Sequence, residues 1–113
     1  MAVGIGASIE TPYLYGLSER ESSLLLQDTW NSDPYRFFNI DYYAHQKDDA
    51  RGEYGSIPYI TGHTASDDTS LLWMNSADTW TDLIIDGDKA LSNFVSESGM
   101  LELFLFSSSN PKQ

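Results

Sequence analysis

Apolar residues along this chain fall in short runs between turn-forming residues, and most runs have the period of a pleated strand. Residues 13–17 predict a short strand that contains a glycine, and residues 22–27 a second one. Between them, Ser18 and Glu21 have the spacing of a capping box, which predicts one helical turn over 18–21. Residues 57–63 alternate at Ile57, Tyr59 and Thr61, and Pro58 places that strand at an edge or beside a bulge. Asp67-Asp68 reads as a turn before a strand at 70–75. Residues 79–85 combine Thr, Trp, Leu and Ile, which suit a half-buried pleated surface. Asp86-Gly87-Asp88 is a tight-turn signal. Residues 91–97 alternate weakly, Gly99 marks a bend, and residues 100–106 are the most apolar run, which predicts a central strand. Six or seven strands with closely spaced turns predict an all-β fold, a sandwich or a barrel. Residues 28–53 stand out as one long irregular stretch, and residues 107–113 read as a linker.

At 113 residues, 41% of them hydrophobic, the chain fits one domain over 1–113 with its own core. The formal net charge of −11 opposes phosphate backbones and anionic lipid, so neither nucleic acid nor a membrane is expected as a partner. Such a charge suits neutral ligands, cations or a basic protein surface, and solubility alone also accounts for it. Cysteine is absent, which excludes disulfides, thiolate metal sites and a thiol nucleophile. No apolar run reaches the roughly 20 residues of a membrane span. Residues 1–6 lack a basic region and a long apolar stretch, so they are not expected to be a signal peptide; a secretory parent would carry its signal outside this chain.

Asn39-Ile40-Asp41 is the first candidate for chemistry. On an extended segment, residues two apart face one way. A carboxylate acceptor beside an amide suits sugar hydroxyls, which both donate and accept. Tyr42 and Tyr43 follow, and either ring could cover an apolar sugar face. The competing reading is a local turn in which Asp41 accepts from nearby backbone N–H groups, and chemistry alone favours it. His45 and His63 lack a spaced partner, and Asp48-Asp49, Asp67-Asp68 and Asp86-x-Asp88 lack the spacing of a calcium loop, so no metal is expected. No phosphate-binding loop or Ser/His/Asp signature is present, and no cofactor is expected. Glycoside hydrolysis needs two paired carboxyl groups; none of the 17 acidic residues sits in a distinctive motif, so no catalytic residue is assigned.

Three ordered segments carry a family likeness: Pro34-Tyr35-Arg36-Phe37-Phe38-Asn39-Ile40-Asp41, Tyr54-Gly55-Ser56-Ile57-Pro58-Tyr59-Ile60, and Leu71-Leu72-Trp73-Met74-Asn75-Ser76-Ala77-Asp78-Thr79-Trp80. Together they resemble the N-terminal β-sandwich of glycoside hydrolase family 31 α-glucosidases. Residues 13–20 and 94–101 extend the likeness, with Ser18 and Arg20 standing where the family has Pro and His. The resemblance implies an antiparallel supersandwich of the galactose-mutarotase-like kind, here its later part and so an incomplete domain. It implies an α-glucoside or glycan substrate and a catalytic barrel that lies outside this chain. It assigns Asp41 to substrate contact, with Asn39 and Tyr43 beside it, and so reverses the preference for a local turn. Tyr54-Gly55-Ser56-Ile57-Pro58 is then a structural base for the 42–53 loop, with Arg51 and Glu53 solvated, while Trp73, Met74 and Trp80 are packing residues. Open sheet edges imply possible self-association. Glycan-trimming members of the family would place the chain in the endoplasmic reticulum lumen. A free-standing carbohydrate-binding module and an inert structural domain are the alternatives.

Overall fold

The computed structural model describes residues 2–41, 43–44, 47–49, 51–75, 77–110 and 112. The strands in chain order are β1 (Val3–Ile9), β2 (Leu14–Gly16), β3 (Tyr35–Phe37), β4 (Tyr59–His63), β5 (Asp68–Trp73), β6 (Thr79–Asp86), β7 (Lys89–Ser96) and β8 (Leu103–Ser108). They form two antiparallel four-stranded sheets, ordered β1-β7-β6-β3 and β2-β4-β5-β8. No helix occurs among the described residues.

The β6–β7 hairpin is the longest pairing and follows from its turn. Asp86 pairs with Lys89, and Gly87 takes a φ of 59°, a shape that tight hairpins need at this position. Alternation then buries Thr81 and Leu83 on β6 and Ala90, Ser92 and Phe94 on β7. The second sheet contributes Leu14, Ile60, Leu71 and Trp73, all buried. Trp73 and Phe94 meet edge to face, with ring centroids 5.7 Å apart, and join the two layers. Small hydroxyls fill much of the first sheet's inner face; Thr79 and Ser96 bond each other at 2.6 Å.

Several sequence expectations change here. Residues 100–106 are not a central strand: β8 is the outer strand of its sheet, paired only to β5. Phe104, Leu105 and Phe106 are exposed, Leu105 by 66%. β1 was not expected, although Val3, Ile5, Ala7 and Ile9 all pack towards the core. Residues 22–27 form no strand, and residues 18–21 are irregular rather than helical. Asp68 lies within β5 and is buried, with its carboxylate 2.5 Å from Nδ1 of His63. Met74 is exposed, so of the three packing residues expected only Trp73 is in the core, while Trp80 is half-buried against Phe38.

The irregular stretch from residue 28 is used in part as sheet. Beyond β3, the free edge of β6 is covered by Asp28 and Thr29. The Thr29 N–H donates to the Leu83 carbonyl at 2.8 Å, and its hydroxyl oxygen accepts from the Leu83 N–H at 2.9 Å. The Ile85 N–H donates to Asp28 Oδ2 at 2.6 Å, and the Trp30 N–H donates to Oδ1. These donors hold the Asp28 carboxyl below its ordinary range.

Candidate functional site

The first link is Arg20. Its guanidinium lies over the rings of Tyr35 and Phe37, at 4.8 and 5.2 Å from their centroids. Its Nε donates to the Leu17 carbonyl at 2.6 Å. Burial lowers its pKa to about 10. This clamps residues 17–20 against β3. Ser18 and Arg20 therefore lie beside the base of the 39–54 loop. Glu53 donates its N–H to the Glu19 carbonyl at 2.9 Å, and Ile57 donates to the Ser18 carbonyl at 2.9 Å.

From β3 the chain runs out through Phe38, whose ring stands edge-on to Trp80 at 5.1 Å. The return limb passes close under it: a Cβ added at Gly52 would stand 2.7 Å from the Arg36 carbonyl oxygen. The two limbs are joined by backbone and side-chain hydrogen bonds. The Ile40 N–H donates to the Glu53 carbonyl at 3.1 Å. The Tyr54 hydroxyl donates to Asp41 Oδ1 at 2.5 Å, and the Ser56 hydroxyl donates to Asn39 Oδ1. Asn39 thus meets Ser56 and Asp41 meets Tyr54 across the loop. The Asp41 side chain thus accepts from a hydroxyl on the opposite limb of the loop. The Asp41 carboxylate raises the Tyr54 pKa, because it both accepts the phenol proton as a hydrogen bond and repels a second negative charge.

Asn39 and Ser56 also open onto a cleft of about 420 Å3 with Phe37, Pro58, Asn75 and Asp78. Tyr43 is fully exposed. Tyr42 and His45 lie outside the described residues.

The acidic pairs behave as structural groups. Asp49 accepts from the Arg51 backbone N–H at 2.9 Å and from its guanidinium, which holds the Asp49 carboxyl below its ordinary range. Arg51 is thus paired rather than simply solvated. A second polar cleft of about 410 Å3 carries Asp28, Asp33, Asp48 and Asp49, but Asp28 and Asp49 are committed to these bonds. Among the described residues, no three His, Asp or Glu side chains are grouped to hold a metal. Tyr54 and Ser56 are the residues that sequence reasoning passed over as merely structural. Their link to Asn39 and Asp41 spans a 13- to 17-residue loop, and only the paired spacing of the two motifs could have signalled it.

Residues 8–82 match the family model of the glycosyl hydrolase 31 N-terminal galactose mutarotase-like domain. The chain belongs to this family. The Glucosidase 2 subunit alpha of Schizosaccharomyces pombe is 36% identical over 82% of the chain, and the Neutral alpha-glucosidase AB of Sus scrofa is 34% identical over 73%. The crystal structure of a glucosidase II alpha subunit, bound to Glc1Man2, superposes on 98% of the chain with a TM-score of 0.91 at 27% identity. Another neighbour, at a TM-score of 0.90, is an ER glucosidase II complex of the catalytic subunit with the binding domain of its regulatory subunit. This chain spans about a tenth of the length of these curated relatives, 11% and 9%, and 14% of the glucosidase II structure. The two-sheet fold is therefore that of the glycosyl hydrolase 31 N-terminal domain, galactose-mutarotase-like as the sequence predicts.

Proposed function

We propose that residues 1–113 are a non-catalytic segment of the N-terminal domain of a family 31 α-glucosidase, and that their 39–54 loop contributes one wall of its sugar site. Asp41 accepts a hydroxyl of the glucose unit at the nonreducing end. Asn39 sets the loop beside it, and the exposed Tyr43 offers a ring to the sugar. The observation that carries this reading is the pairing of Asp41 with Tyr54 and of Asn39 with Ser56 across the two limbs of the loop. A neutral sugar suits a surface of this charge, since it is not repelled by a net −11.

The hydrolysis itself is a retaining double displacement by two carboxyl groups of a barrel outside this chain. No cofactor enters it. The substrate is an α-glucoside, with N-glycan trimming in the endoplasmic reticulum lumen as the physiological setting; bound Glc1Man2 in the superposed glucosidase II structure supports that choice. The exposed β8 edge is a surface for the rest of the parent protein, or for a second copy when the chain stands alone.

Glucose release from an α-1,3-linked glucose disaccharide tests the reading. The isolated chain should release none and bind the disaccharide weakly at most, while the longer gene product hydrolyses it. Tight binding by the isolated chain, lost in Asp41→Ala, would favour a free-standing carbohydrate-binding module. Hydrolysis by the isolated chain would overturn the non-catalytic assignment.

A further inference from the structure

Tyr54 is 58% exposed, and its ring is outside the hydrophobic core. Its hydroxyl nevertheless meets one oxygen of an exposed carboxylate at 2.5 Å. Closing the loop does not require that bond. The limbs are already joined by the backbone hydrogen bond from Ile40 to Glu53, and the return limb is held to Glu19 by the Glu53 N–H and, at Oε2, by the Gly55 N–H at 2.8 Å. An exposed hydrogen bond of this kind adds little to folding, because water competes for both partners. What it does is select a direction. An exposed aspartate samples several side-chain rotamers, and a donor fixed to the opposite limb favours one of them.

We infer that Tyr54 is a positioning residue for Asp41: its hydroxyl occupies one carboxylate oxygen and leaves the other aimed outward to accept a hydroxyl of a neutral hexose. Ser56 stands to Asn39 in the same relation, its hydroxyl donating to Asn39 Oδ1. The inference rests on the sugar contact proposed for Asp41. The phenol is suited to the task because it donates one proton and stays neutral; the adjacent carboxylate pushes its ionisation upward, away from neutral pH. A carboxylate has about four lone-pair positions, so accepting from Tyr54 leaves capacity for a ligand. A pre-aimed acceptor binds with less ordering at the moment of contact.

The test uses Tyr54→Phe, which keeps the ring and removes only the donor. In the isotope-labelled chain, three-bond couplings to Asp41 Cγ should report one dominant rotamer, averaged in Tyr54→Phe. Ultraviolet titration of the tyrosines should show one phenol moving down towards the ordinary value in Asp41→Asn. In the longer gene product, Tyr54→Phe should raise KM about threefold to tenfold, the scale of one hydrogen bond, with kcat within about twofold. In an Asp41→Ala background it should add nothing. If Asp41→Ala raises KM while Tyr54→Phe is silent, or if the two effects simply add, the positioning role is overturned and the sugar contact stands. If Asp41→Ala leaves the kinetics unchanged, the sugar contact fails, and the rotamer couplings still decide whether Tyr54 orders Asp41.

Discussion

The indole of Trp73 on β5 meets the ring of Phe94 on β7 edge to face at 5.7 Å, across the gap between the two sheets. Both residues are fully buried, and this contact is where the layers join. Phe94→Ala should therefore cost about 3–5 kcal/mol through lost burial and the cavity it leaves. Urea unfolding followed by tryptophan fluorescence measures this; a loss under about 1 kcal/mol would show that the layers do not depend on the contact.

Thr81 makes the opposite case. Its hydroxyl oxygen is buried with no hydrogen-bond partner among the described residues. Thr81→Val keeps the branched shape and removes the unsatisfied group, so it should raise stability by about 1 kcal/mol. A destabilised Thr81→Val in the same urea experiment would mean that the hydroxyl has a partner in solution.

The β6–β7 hairpin was legible because its β-rich composition and its Asp-Gly turn agree. β1 was harder. Val3, Ile5, Ala7 and Ile9 do alternate, but Gly4 and Gly6 between them lower the strand signal. β8 was misplaced for a different reason. An apolar run reports that side chains leave water, but not whether their cover comes from this chain; Phe104 and Phe106 carry the hydrophobicity of a central strand on an edge. At the candidate site, the two-residue spacing of Asn39 and Asp41 was readable. Their donors on Tyr54 and Ser56 were not, since those depend on how the intervening loop closes.

Acid sensitivity follows from Asp28 and Asp49, whose carboxyls are held below the ordinary value of 3.8 by the Ile85 and Trp30 amides and by Arg51. A carboxyl depressed in the folded state contributes stability that is present above its unfolded pKa. That contribution is lost as pH falls through the folded value, so the window lies below about 3.8. Asp28→Ala should be less stable than the parent chain at pH 6, and the gap should narrow as pH drops towards 2. Melting curves across that range check it; a gap independent of pH would remove the electrostatic explanation.

The β8 edge predicts an association that one charge can block. Leu105 is 66% exposed, so Leu105→Lys should change folding stability by no more than about 0.5 kcal/mol. A lysine there should still oppose edge-to-edge pairing. Sedimentation velocity of the isolated chain should show larger species that diminish in Leu105→Lys. Purely monomeric parent chain at high concentration would exclude this edge as a self-association surface.

Steady-state kinetics of Asp41→Ala in the proposed parent α-glucosidase decide whether Asp41 touches the sugar. kcat/KM on an α-1,3-linked glucose disaccharide should fall about tenfold or more, the scale of a hydrogen bond to a charged group, with the melting temperature unchanged. Activity equal to that of the parent protein would contradict that contact.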